Sequence, residues 1–262
     1  MRLFFILCLS LCFACNKTGG GPTTEATVAG PSGVSGASPT GQVKLIVGQA
    51  NSCSLGDGLL KCWGDNKSVY TPLGIGTASI ALNPTLVLSG VSDFSFDLGG
   101  GCAILTTGAL KCWGFNLTSA VGDGGADGTV NTPKTIITSG VSKVSRGLMN
   151  ACAIVSSDLW CWGTGPSILY GSSGYAVTSL TSPKKVITGG VLDVAVDAQG
   201  GCAILTGGRV DCWETYQNTM TTKVASGATK LFNNRSQTRV GTCALMSTGA
   251  LKCWGWIPIL IN

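Results

Sequence analysis

The 262-residue chain contains no histidine. That absence removes Ser-His-Asp and Cys-His catalysis, histidine-ligated zinc and the two-His-one-carboxylate iron site. Charge is sparse as well. Charged residues make up 11% of the chain, the net charge is +5, and the basic residues are scattered, so nucleic acid is not an expected partner. Carboxylates number only 12, and no two fall in matching loops as a glycosidase dyad requires. No CxxC is present, although structural zinc sites draw on such tightly spaced pairs. The Asp-Gly run GDGGADGT (122–129) lacks the ligand spacing of a calcium loop. No metal, no cofactor and no catalytic residue is expected.

Glycine is what the chain has in excess, 39 residues of 262, about twice the usual ~7%. With many Thr, Ser and Val, and no long stretch of helix formers, this composition points to short strands joined by turns. The length fits one large all-β domain or two small ones.

The first fifteen residues, MRLFFILCLSLCFAC, carry one basic residue and then an apolar run from Leu3 to Phe13. That run is too short to span a bilayer and has the length of a signal-peptide core. Residues 1–14 read as a signal peptide. The ending LCFAC resembles the lipobox of bacterial lipoproteins, which makes Cys15 the expected lipidation site. It departs from that pattern in having Cys12 where leucine is usual. Asn16 after the cysteine suits the outer membrane in the sorting pattern the resemblance implies. Residues 15–41 are Gly, Ser, Thr, Pro and Ala with almost no large apolar side chain, the composition of a flexible tether. The expected location is exported and lipid-anchored to the bacterial outer membrane or cell surface.

Five copies of one motif follow: SCSLGDGLLKCWG (52–64), GCAILTTGALKCWG (101–114), ACAIVSSDLWCWG (151–163), GCAILTGGRVDCWE (201–214) and TCALMSTGALKCWG (242–255). Between them runs a second phase with a Pro or Thr-Lys and a Val or Ile pattern. Each period holds four β-type runs, for instance Val91–Phe96, Cys102–Thr106, Ala109–Trp113 and Lys134–Thr138. Four strands per repeat of about 40–50 residues marks a propeller blade. The expected fold is all-β, a β-propeller over 42–262 with repeats 42–90, 91–140, 141–190, 191–227 and 228–262. The fourth and fifth repeats lack the long loop between third and fourth strands. The final run IPILIN (257–262) favours a closed five-bladed ring over an open arc, which would leave two sheet edges exposed.

Ten cysteines fall into five local pairs: Cys53/Cys62, Cys102/Cys112, Cys152/Cys161, Cys202/Cys212 and Cys243/Cys253. A two-residue Asp57-Gly58 turn places Cys53 opposite Cys62. The Cys102 pair is one residue further apart, and a three-residue loop ending in Gly108 restores the same register. Gly208 and Gly249 hold that place in their loops, and Ser156-Ser157 makes a two-residue turn. Opposed strand residues lie within disulfide reach, so five cross-strand disulfides are expected, as suits an exported protein.

These motifs, followed by Asn66 or Asn116, then LGIGT (73–77) or VGDGG (121–125), then Pro-x-x-Val/Ile, resemble the repeat of the regulator of chromosome condensation family. The form is the cysteine-bearing one of secreted bacterial proteins. The resemblance covers about 42–262. It implies a propeller, usually of seven blades, used as a rigid protein-binding disc. One member acts as an exchange factor for a small GTPase, and a bacterial relative inhibits β-lactamases. Five repeats rather than seven is the departure.

One tryptophan per repeat at one register (Trp63, Trp113, Trp162, Trp213, Trp254) reads as packing between blades rather than a sugar site. Function is expected in the loops that differ, because binding resides in loops on rigid scaffolds. They carry Tyr70, Phe115, Tyr170, Tyr175 and Tyr216, while Trp160 replaces the lysine of three other repeats. Arg146, Arg235 and Arg239 precede second strands. Tyr, Trp and Arg anchor interfaces. The expected function is non-enzymatic binding of a partner protein or surface polymer, as in adhesion. The alternatives are an envelope hydrolase or lyase using the propeller rim, or an inhibitor of a secreted enzyme.

Overall fold

The structure, a computed structural model, describes residues 43–255 except 49, 68–71, 78, 127, 171–176, 198–199, 215–218 and 234–240. The described residues form five antiparallel sheets, one after another along the chain. The first holds β1 (Lys44–Val47), β2 (Asn51–Gly56), β3 (Leu59–Gly64) and β4 (Ala81–Leu88). The second holds β5 (Val91–Asp97), β6 (Gly100–Leu105), β7 (Leu110–Phe115) and β8 (Thr129–Ile137). The third holds β9 (Val141–Arg146), β10 (Asn150–Val155), β11 (Asp158–Pro166) and β12 (Val177–Ile187), with a one-turn helix α1 (Ser167–Tyr170) before β12. The fourth holds β13 (Val191–Val196), β14 (Gly200–Leu205), β15 (Arg209–Glu214) and β16 (Thr219–Val224). The fifth holds β17 (Ala228–Asn233), β18 (Gly241–Met246) and β19 (Leu251–Gly255), three strands among the described residues. The run IPILIN lies outside them. This is a five-bladed β-propeller.

The hairpin between second and third strands keeps one cysteine register five times, with two turn designs. Asp57 and Gly58 both take positive φ (51° and 72°), as do Ser156 and Ser157 (51° and 71°). That is the turn whose twist matches flanking strands. The longer loops close through Gly108 (φ 79°) and Gly249 (φ 84°), which glycine adopts without steric cost. Register is preserved in both designs: Cys53, Cys102, Cys152, Cys202 and Cys243 face Cys62, Cys112, Cys161, Cys212 and Cys253. All five pairs are disulfides. Each closes a loop of about ten residues, which chain entropy values at roughly 2–3 kcal/mol.

The inner strands β1, β5, β9, β13 and β17 all line one axial space of about 720 Å³. Blade faces pack through buried Phe94, Val144, Val194 and Leu231 from these strands. Main-chain contacts tie neighbours together. The Ser95 hydroxyl accepts the Arg146 amide at 3.0 Å, and the Ser145 hydroxyl accepts the Val196 amide at 2.9 Å. Asp193 accepts the Leu231 amide at 2.8 Å.

Candidate functional site

The connections between third and fourth strands are the parts that differ from blade to blade. In the first, buried Asn66 organises the loop: its side-chain oxygen accepts the Leu73 amide at 2.7 Å, and its nitrogen donates to the Thr77 carbonyl. In the second, buried Asn116 accepts the Val121 amide at 3.0 Å and donates to Asp123 at 2.9 Å. Asp123 also receives Lys134 at 2.6 Å. Burial works to raise the Asp123 carboxyl. The hydrogen bonds from Lys134, Asn116 and the Gly125 amide outweigh it and hold the group below its ordinary range. In the third, Gly165 stands where Asn116 stands in the second. A Cβ there would lie 2.8 Å from the Tyr170 ring, so glycine makes room for that ring.

Each loop covers the tryptophan of the next blade. A Cβ on Gly74 would lie 2.7 Å from Trp113, and one on Gly122 would lie 2.6 Å from Trp162. Both glycines have positive φ (81° and 82°). Trp162 Nε1 donates to the Ala120 carbonyl at 3.1 Å. Leu169 and Tyr170 of α1 share one buried cluster with Trp213. The repeated tryptophans of the middle blades are therefore interior.

Two expected contact residues are corrected by these caps. Phe115 ends β7, is buried and pairs with Thr129. Tyr170 is buried, and its hydroxyl donates to the Gly163 carbonyl at 3.2 Å. Burial pushes its phenol above the ordinary value, so it stays a neutral donor. Both side chains stabilise the caps and offer no exposed contact. Arg146 is corrected too. It ends β9, is buried, and donates to the carbonyls of Gly99, Phe115 and Ala120. Burial lowers its pKa to about 10, with Asp97 opposing, and it remains charged at neutral pH. Its charge serves to tie the second cap to the third blade.

Trp160 is half-buried in β11, between Ala153 and Lys185 in register. The Lys185 ammonium lies 5.8 Å from its ring centroid and 3.0 Å from Asp158. Tyr70, Tyr175, Tyr216, Arg235, Arg239 and Cys15 lie outside the described residues.

Of the exposed apolar side chains that sequence reasoning missed, three lie in or beside the caps. Ile80 and Leu82 flank buried Ala81, and Leu82 is 85% exposed. Leu117, in the second cap, is 60% exposed. Aligning repeats on the fourth strand gives the signal. Leu82 stands where the next two blades have Asn131 and Thr181, and Leu117 stands where the first has Lys67.

No protein-family profile matches the chain, and no curated protein matches it. Solved structures do. Human WBSCR16 matches with a TM-score of 0.64 at 15% identity, over 82% of this chain and 62% of that one. Prp20p from Saccharomyces cerevisiae, described with its binding properties to Gsp1p and histones, matches with a TM-score of 0.56 at 16% identity, over 68% of this chain and 49% of that one. Yeast RCC1 (Prp20) in complex with Kap60 matches with a TM-score of 0.54 at 16% identity, over 70% and 47%. The chain spans between 47% and 62% of the length of these proteins. Likeness at such identity shows the fold alone.

Proposed function

We propose that the chain is a protein-binding module of the bacterial cell envelope, an exported form of the regulator of chromosome condensation repeat. It presents its unlike caps to a partner protein. The observation that carries this reading is the exposure of Ile80, Leu82 and Leu117 on and beside caps held by a stapled frame. Exposed aliphatic side chains on a rigid scaffold suit an interface centre. The yeast neighbours, which share the fold, are described with protein partners. Five disulfides suit an oxidising, exported compartment. Among the described residues no helix is long and apolar enough to cross a membrane. Anchoring belongs to Cys15 in this reading.

The test immobilises the chain and passes envelope extract over it, beside an L82D/L117D double variant with an unchanged melting temperature. A partner retained by the first and lost by the second supports the reading. Equal retention by both, or turnover of cell-wall substrate by the purified chain, overturns it. Anchoring is tested separately by lipid labelling in cells: C15A should lose all label, and label retained on C15A removes that role.

A further inference from the structure

At one register of the inner strands the five blades carry Lys44, Asp93, Lys143, Asp193 and Lys230. Each faces the same place on its neighbouring strand, Leu55, Ile104, Ile154, Ile204 and Leu245 respectively. A register shift precedes this position in β5, β9, β13 and β17. Such bulges re-aim side chains, and all five residues except Asp193 line the axial space. Charge alternates from blade to blade, and the alternation is used. Lys44 reaches Asp93 at 2.5 Å, and Lys143 reaches Asp193 at 2.8 Å. Lys230 ends the series. Among the described residues no ion pair involves it; its ammonium lies 5.3 Å from the Phe232 ring centroid.

The same two ends leave apolar side chains uncovered. Leu45 is 55% exposed, although Phe94, Val144, Val194 and Leu231 at its register are buried. Val47 is 70% exposed, although Phe96, Arg146 and Val196 at its register are buried. Phe232 is 44% exposed where the other inner strands place Ile46, Ser95, Ser145 and Ala195, all buried. At the inner junctions these positions are covered by an adjoining blade. At the ends of the array, the Lys230 ammonium and three apolar side chains face the same axial space instead.

We propose that these ends form a docking groove for an extended acidic segment of a partner protein. An Asp or Glu of that segment takes the position that Asp93 and Asp193 take within the array and pairs with Lys230. Apolar neighbours of the acid cover Leu45, Val47 and Phe232. Charge complementarity selects this occupant: the series Lys, Asp, Lys, Asp, Lys continues only with an anion. Like charge at that register is repelled by Lys230. The groove shares no residue with the exposed cap positions, so this inference stands or falls without them.

The test uses the disulfide-bonded chain and a fluorescein-labelled nine-residue peptide of alternating Val and Thr with one central Asp, read by anisotropy. Peptides with Asn or Lys at the centre are the comparison. The Asp peptide should bind about fivefold more tightly than the Asn peptide, and the margin should shrink as salt rises. Lys230→Gln should abolish the preference. Lys230→Asp should transfer it to the Lys peptide, a gain that a misfolded variant cannot produce. No binding by any peptide, equal binding of the Asp and Asn peptides, or failure of Lys230→Asp to change the preference overturns the proposal.

Discussion

The three middle blades and the two end blades carry the same motif and bury it differently. Trp113, Trp162 and Trp213 are buried, whereas Trp63 and Trp254 are half-exposed. Two causes coincide. The residue across the hairpin from each tryptophan is Gly101, Ala151 or Gly201 in the middle but Ser52 and Thr242 at the ends. A Cβ on Gly101 would lie 2.4 Å from the Trp113 ring, so the ring lies over space that only a small residue leaves. The second cause is the cap. The connection between β15 and β16 is only four residues long, 215–218, and no described blade precedes β1. A repeat therefore needs both a small partner within the blade and a long loop from the blade before.

The largest expected break of this contrast is at the tryptophans themselves. Trp162→Ala should cost about 3–5 kcal/mol and Trp254→Ala about 1 kcal/mol, measured by urea unfolding. Equal losses would mean that the caps contribute nothing. The staples sharpen the comparison next. Replacing Cys102 and Cys112 by Ala should cost about 2–4 kcal/mol. The Cys243 and Cys253 pair spans the same sequence separation of 10 and should cost the same in chain entropy. Any excess in the middle blade then measures packing.

Glycine gives a smaller effect with the same logic. Gly122→Ala meets both positive φ and the Trp162 ring and should lower stability by about 2 kcal/mol. Gly249 has positive φ but nothing within 4 Å, and its Ala variant should lose about 1 kcal/mol. The smallest effect is at Asp123. Its carboxyl is held below 3.8, so its contribution is present above that pH and is lost as pH falls through the lowered value. D123N should be less stable at neutral pH, and its acid unfolding curve should converge with the unsubstituted chain at low pH. Parallel curves would remove the carboxylate from the cap.

The frame was legible because its rules are local. Turn length and cysteine spacing change together within ten residues, so each disulfide follows from its own turn, Asp57-Gly58 or Ser156-Ser157 in the short hairpins and the loops holding Gly108, Gly208 and Gly249 in the longer ones. Strand bounds were less so: the fourth strand of the second blade begins at Thr129, not Lys134, because pairing with Phe115 continues back into the loop. The surface was misread where polarity stood in for exposure. Arg146 is an expected interface residue by type, yet it is buried, with its guanidinium on three main-chain carbonyls and its amide on the Ser95 hydroxyl, all at long range. Phe115 and Tyr170 were drawn inward by loops whose folding depends on Asn116 and Gly165. The alternating axial charges were present in the sequence at one repeat offset. Lys44, Asp93, Lys143 and Asp193 keep one spacing to the first cysteine of their repeats, but Lys230 joins the series only when inner strands are aligned by their pairing.

Because every long loop roofs the blade that follows it, the unit that holds together is not the sheet. It straddles two sheets, beginning with one blade's loop and ending with the next blade's tryptophan. The array consequently has a direction, like overlapping tiles. An in-frame loss of one whole period between Trp113 and Trp162, 49 residues apart in sequence, would leave each remaining tile seated on a neighbour. A deletion of half that length would unroof a core. Length variation in such a chain is quantised by this overlap, and the permitted step is set by where the loops land.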